Sequence, residues 1–306
     1  MMRKLVTLLL TLIASLTLNA QDKKYEEWYL KTKDSLNIFV KEIKGGKDTV
    51  IVVHGGFGAN HDYLLDAIKG LESKFHFILY DQRGSLLSPA PKEKLTFQKN
   101  VNDLFELVTK LKLKKVKLLC HSMGTLVGME FLKQHTDLVS NIVLTGAIIP
   151  KSDSSKSVFS EQLDKNISFL ANRPEVVKLQ QNYTDKATLT DKERTEYWRT
   201  QFAVANIYNI SKWNLLKGGM IYYNPDAAVM AETVNWNYDY RENLNKTKTT
   251  VIQGQYDYLG FNAEIYQEQI KEFRNINLKI ISNAGHNSWI DEPKLFKKYL
   301  TRGLTE

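Results

Sequence analysis

The chain has 306 residues, with 42 basic against 34 acidic side chains, a formal net charge of +8, 43% hydrophobic residues and one cysteine. The length suits one large domain with an insertion or two modest ones. A single cysteine excludes an intramolecular disulfide framework, so the fold must rest on its core. The lysines are spread along the chain with no concentrated basic block and no nucleic-acid motif, which excludes a nucleic-acid partner and leaves the charge as a matter of solubility and of weak attraction to acidic surfaces.

At the N-terminus, Met1-Met2-Arg3-Lys4, the apolar run Leu5 to Leu18 and Asn19-Ala20-Gln21 read as a secretory signal peptide over residues 1–20, with cleavage expected after Ala20. The apolar run is shorter than the ~20 residues of a membrane span, and no cysteine follows it to carry a lipid. The expectation is a secreted or periplasmic protein of about 285 residues with no stable membrane insertion after cleavage.

Next, the runs Glu27 to Lys33 and Ser35 to Ile43 alternate polar and apolar residues, as in an antiparallel hairpin at a sheet edge. Thr49 to Val53 is a β-branched run suited to a strand covered on both faces, and it ends in His54-Gly55-Gly56-Phe57-Gly58. Such glycine density lets a loop press against another group with its N–H groups pointing inward. The sequence has neither of the common phosphate-loop patterns. A helix over His61 to Ser73, closed near Gly70, and a strand over Phe75 to Tyr80 lead to Asp81-Gln82-Arg83-Gly84-Ser85. There Asp81 and Arg83 would contact substrate or, the preferred reading, pair with each other to hold the loop. Phe97 to Leu111 is an amphipathic helix.

Val116 to Cys120 reads as a buried strand that breaks into a helix over Met123 to His135, with Ser122 at the break. This is the pattern of a nucleophile elbow, in which a tight strand-to-helix turn exposes the serine hydroxyl and turns the next N–H towards developing negative charge. Cys120 is read as a small packing residue rather than a reactive thiol. Asn141 to Thr145 is a further strand, and the alternation of strands and helices predicts an α/β fold with a mostly parallel sheet flanked by helices.

Residues 151–245 change character, being polar and aromatic with helices expected over Val158 to Leu170 and Glu193 to Ile210 and no convincing buried strand. This region reads as a helical cap inserted into a core of residues 21–150 and 246–306. Its aromatics, Tyr197, Trp198, Phe202, Tyr208, Trp213, Tyr222, Tyr223, Trp236, Tyr238 and Tyr240, pack the cap or line a pocket. The sheet resumes at Thr249 to Gly254, followed by Asp257. A last strand over Asn277 to Ser282 leads into Gly285-His286, and Ser288 to Leu300 closes the chain as a helix.

Ser122, Asp257 and His286 therefore each follow a strand of one parallel sheet, whose C-terminal ends share an edge. The proposed roles are nucleophile for Ser122, base for His286 and orienting carboxylate for Asp257, with the oxyanion held by the N–H groups of Met123 and Gly56, or less favourably Phe57. No metal and no organic cofactor is required.

The His54 to Gly58, Asp81 to Ser85, Cys120 to Gly124, Gly254 to Asp257 and Gly285-His286 segments together resemble the α/β-hydrolases. The first two resemble the prolyl aminopeptidase (proline iminopeptidase) branch. The resemblance implies a small peptide as substrate and cap carboxylates that hold its amino group, for which Glu193, Glu196 and Glu232 are the candidates, with Trp198 among the aromatic lining. The leading expectation is therefore an exported aminopeptidase or amidase; the core chemistry serves a carboxylesterase, thioesterase or lipase-like enzyme with an ester substrate equally, and a non-catalytic binding protein on the same scaffold is the third reading. Oligomeric state is not legible in the sequence.

Overall fold

The computed structural model describes residues 25–153, 156–183, 187–216, 223–259 and 263–306, with the main chain alone for 156–160. The expected signal segment and Tyr222 lie outside the described residues. Strands β1 (Tyr25–Lys31), β2 (Asn37–Ile43), β3 (Asp48–Val53), β4 (Phe75–Tyr80), β5 (Val116–His121) and β6 (Val139–Thr145) precede the insertion. A short ribbon of β7 (Lys151–Asp153) and β8 (Asn237–Asp239) belongs to it, and β9 (Lys248–Gly254) and β10 (Ile276–Ile281) follow it. The main sheet has eight strands in the order β1-β2-β4-β3-β5-β6-β9-β10. The pairs β1 with β2 and β2 with β4 are antiparallel; every pair from β4 to β10 is parallel.

The parallel strands take their places because they are apolar on both faces. Val50 to Val53 and Leu118 to Cys120 are wholly buried, so each must be covered by helices on two sides. Helix α1 (Phe97–Lys110) supplies one cover through Val101, Leu104, Leu107 and Val108, and its first turn is capped by the Thr96 side chain, which accepts from the Lys99 N–H. Helix α2 (Met123–Gln134) packs against the sheet through glycines: a Cβ on Gly124 would stand 2.3 Å from the His54 carbonyl oxygen, and one on Gly128 would stand 2.4 Å from Cys120 Sγ. Cys120 is thereby sealed under α2, and burial pushes its thiol pKa up, which keeps it protonated.

The segment 61–73 is less helical than its apolar spacing predicts. It forms a 3₁₀ turn over Asp62–Leu64 and one α-turn over Leu65–Ile68, and Gly70 at φ +86° ends it. The closing helix is also broken, into Ser288–Asp291 and α6 (Pro293–Thr305), because Pro293 disfavours helical backbone at Glu292, whose φ and ψ are −129° and 66°.

Between the neighbouring strands β6 and β9 the chain leaves the sheet, and β7 and β8 pair where it departs and returns. These strands are three residues each, too short to show in the sequence pattern. The inserted segment carries helices α3 (Lys156–Ala171), α4 (Pro174–Gln180) and α5 (Asp191–Asn206). The C-terminal end of α5 docks on the loop after β10. Asn206 O accepts the Asn287 N–H at 2.7 Å, and the Asp291 carboxylate collects the N–H groups of Tyr208, Asn209 and Gly285 at 2.8 to 2.9 Å.

Candidate active site

Parallel strands deliver their C-terminal ends to one edge, and four of these ends build the site. After β5, Ser122 sits at φ +52° and ψ −129°, a backbone conformation that a residue with a Cβ adopts only under tertiary constraint. Its own N–H donates to Thr145 O at 3.1 Å, tying the elbow to the neighbouring strand. Met123 is the first residue of α2, so its N–H has no partner within the helix.

After β9 and β10, Asp257 and His286 meet. His286 Nδ1 lies 3.0 and 3.1 Å from the two Asp257 carboxylate oxygens, and both side chains are buried. The carboxylate is held from behind: its Oδ2 accepts from Gln253 Nε2 and its Oδ1 from the Leu259 N–H, each at 2.9 Å. With Nδ1 committed to Asp257, the opposite nitrogen of His286 is left for chemistry. The ring lies between those of His121 and Tyr258, at centroid distances of 4.5 and 4.7 Å. Tyr258, partly buried, lines the same cavity as Ser122.

After β3, the loop of His54 to Gly58 lies on the elbow. Gly55 must be glycine because a Cβ there would meet the Ser122 Cβ at 2.4 Å, and Gly56 adopts φ +65°. The Gly55 N–H is spent on the Tyr63 hydroxyl at 2.7 Å. Gly56 lines the cavity above Ser122, whereas the Phe57 side chain is buried edge-on against Phe97 at 6.3 Å.

His54 anchors this loop. Its Nε2 accepts the Gln82 N–H at 3.0 Å and its Nδ1 donates to Gly55 O at 2.9 Å. Burial lowers the imidazole from the ordinary 6.5 to about 4, so the ring is neutral at pH 7. The unfolded chain takes up a proton near 6.5 and the folded chain only near 4, so stability is fully present above pH 6.5 and falls as pH drops through that interval. A loss of about 3 kcal/mol from this group is expected. It would be read as a falling Tm between pH 6.5 and 4 that is flattened in His54→Gln; an unchanged acid slope in the variant would contradict the assignment.

Asp81 and Arg83 are not paired with each other. Asp81 accepts from the His61 N–H and lies 2.7 Å from His61 Nδ1, while Arg83 forms a two-point contact with Asp103 at 2.7 and 2.8 Å and reaches Asp34 at 3.1 Å. Arg83 lies in a turn just after Asp81, and the two side chains go to different partners. Both hold loops, and neither lines the cavity.

The cavity above Ser122 has a volume of about 410 Å³. The insertion contributes Phe202, Asn206 and Tyr223 to its wall, and the core contributes Ala59, Tyr63 and Tyr258 beside His286. None of the three candidate glutamates reaches it. Glu193 closes a capping box with Thr190 at the start of α5, Glu196 faces Lys192 at 3.9 Å, and Glu232 is exposed at the end of a four-residue helix. Trp198 is 64% exposed. Tyr63, His121, Tyr258 and Asn206 are the polar lining groups that sequence reasoning missed as site residues. Phe202 and Tyr223 are legible as aromatics of the inserted segment, and Phe202 and Asn206, four apart on α5, share a helix face.

The model of the alpha/beta hydrolase fold family matches residues 48–293. The chain belongs to this family. The hydrolase is 23% identical over 296 residues to a proline iminopeptidase of Saccharolobus solfataricus, covering 90% of this chain and 91% of the relative. Among solved structures, it superposes on an esterase from Exiguobacterium antarcticum with a TM-score of 0.67 at 20% identity, covering 92% of this chain and all of that one. It also superposes on a proline iminopeptidase-related protein from Thermus thermophilus with a TM-score of 0.66 at 20% identity, covering 92% and 97% of the two chains. These likenesses establish the fold.

Proposed function

We propose that the hydrolase is a serine hydrolase working through an acyl-enzyme on uncharged ester substrates, with residues 151–245 as the lid of its site. The observation that carries the chemistry is the pairing of His286 Nδ1 with both oxygens of a buried, doubly braced Asp257 beside a Ser122 held at φ +52°. In this reading Ser122 Oγ attacks the substrate carbonyl as His286 takes its proton. The tetrahedral oxyanion faces the N–H groups of Met123 and Gly56, and His286 returns the proton to the leaving alcohol. Water then attacks the acyl-enzyme by the same route and releases the acid and the free serine.

The lining favours an ester over an amine-bearing peptide. A substrate ammonium brought into a closed site needs a partner carboxylate, since an unpaired buried charge is costly. No glutamate or aspartate lines the cavity among the described residues. Phe202, Tyr223 and Tyr258 instead present apolar surface to an acyl chain. The second reading, removal of N-terminal residues from small peptides, is favoured by the end-to-end likeness to the Saccharolobus proline iminopeptidase.

Side-by-side kinetics on p-nitrophenyl butyrate and proline β-naphthylamide decide between the two. The expected result is ester turnover with kcat/KM at least about 100-fold above that for the amide. Preference for the amide would overturn the ester assignment. Failure of folded protein to react with a fluorophosphonate probe would overturn the serine mechanism.

A further inference from the structure

One phenol joins the Gly55-Gly56 loop to the residue preceding the nucleophile. Tyr63 Oη accepts the Gly55 N–H at 2.7 Å and lies 2.7 Å from His121 Nδ1. The Tyr63 ring packs edge-on to His121 at 5.4 Å and stacks on Trp289 at 6.1 Å, and all three residues are buried. On its other side the His121 ring stands 4.5 Å from that of His286. Gly146, at φ +52°, leaves room for both imidazoles, since a Cβ there would stand 2.8 Å from His286 Nδ1 and 3.0 Å from His121 Nε2.

We infer that Tyr63 and His121 are positioning residues of the reaction, which hold the Gly56 amide and the His286 ring in place around Ser122 through the chain from Gly55 N–H to Tyr63 Oη to His121 Nδ1. The inference rests on the reading of Ser122, His286 and Asp257 as the reacting set. Two consecutive glycines give a loop wide conformational freedom, and a bond to the Gly55 N–H removes it where the next amide must face the reacting carbonyl. A phenol that accepts one bond donates its own proton onward, which makes His121 Nδ1 the acceptor and leaves that ring's proton on Nε2. Burial, with the nearby His286 second, holds His121 far below the ordinary histidine range, so it stays neutral. When His286 accepts the serine proton, no second cation opposes it across 4.5 Å.

Tyr63→Phe keeps the ring and deletes the hydroxyl. The expected result is a fall in kcat for p-nitrophenyl butyrate of about 10- to 100-fold with KM held within about threefold, because amide placement matters to the tetrahedral species more than to the bound ester. The Ki of butylboronic acid, whose serine adduct is tetrahedral, should rise by the same factor. His121→Asn, which retains an acceptor near the Nδ1 position, should keep activity within about fivefold. His121→Leu should match Tyr63→Phe, and the two together should be no worse than either alone.

Unchanged kcat in Tyr63→Phe, a change confined to KM, or single effects that multiply in the double variant would each overturn the inference. If Tyr63→Phe does not fold, the contrast between His121→Asn and His121→Leu decides, and equal activity of those two overturns it. Ser122→Ala run beside them separates the two levels. Turnover there within about 100-fold of the unaltered protein would defeat the serine reading itself, whereas an inactive Ser122→Ala beside a fully active Tyr63→Phe would defeat only the positioning role.

Discussion

Ser122→Ala is expected to lower ester turnover by a factor on the order of 10⁶, to the level of the uncatalysed background in an ordinary assay. The substitution removes one oxygen and changes nothing else at the elbow. Alanine keeps the Cβ, so the strain at φ +52° is the same in both proteins. Ser122 is only 7% exposed, and the group forfeited is a single hydroxyl on the floor of the cavity. The cost in stability should therefore stay near ~1 kcal/mol. The measurements are p-nitrophenyl butyrate hydrolysis, fluorophosphonate labelling and a thermal melt. Persistent labelling or turnover in the alanine protein would show that another residue is the nucleophile.

Asp257→Asn is expected to cost a factor of about 10⁴ in kcat while the fold persists. The orientation of the carboxylate is over-determined by donors. Its Oδ1 takes the Leu259 N–H, its Oδ2 takes Gln253 Nε2, and both face His286 Nδ1. An asparagine offers one acceptor and one donor to three donors, so at least one contact becomes donor against donor. Gln253 cannot relieve this by turning over, because its Oε1 is occupied by the Ala147 N–H at 3.0 Å. The amide NH₂ therefore replaces Oδ1, against the Leu259 N–H, or Oδ2, against Gln253 Nε2, and in either place it also faces His286 Nδ1. There it favours the His286 tautomer whose proton sits on the wrong nitrogen. The check is the pH profile of kcat alongside fluorophosphonate labelling. A variant with wild-type kcat at neutral pH would remove Asp257 from the proposed mechanism.

Several elements could be read from residue order because their chemistry is local. Val50 to Val53 and Leu118 to Cys120 are continuous apolar runs, and only a strand with both faces covered accepts such a run. From that follows the parallel sheet, and from the sheet the shared edge at which Ser122, Asp257 and His286 arrive. Local features also misled. The apolar spacing of residues 61–73 suits a full helix, yet the segment makes one α-turn before Gly70, with His61 fastened to Asp81 and Tyr63 to Gly55. Asp81 and Arg83 carry opposite charges two residues apart and still part company, because Asp103 and Asp34, far off in sequence, fit the guanidinium better.

Helix α5 of the inserted segment is where sequence stops being sufficient. Trp198, Phe202 and Asn206 lie four apart on α5 and share a stripe of that helix, but the cavity begins at Phe202, and Trp198 stays 64% exposed. Periodicity fixes which way a side chain points around a helix axis and says nothing about where along that axis a pocket opens. The glutamates Glu193 and Glu196 fall in the same N-terminal half of α5, Glu193 turned to its cap and Glu196 to Lys192. The residue sequence by itself determined the parallel strands and the sheet edge at which Ser122, Asp257 and His286 arrive, since those depend on short-range sterics and on strands emerging at one edge. Only the tertiary structure decided the lining of the cavity, the partners of Asp81 and Arg83 and the link from Gly55 through Tyr63 to His121. These depend on distances between segments that nothing local in the chain encodes.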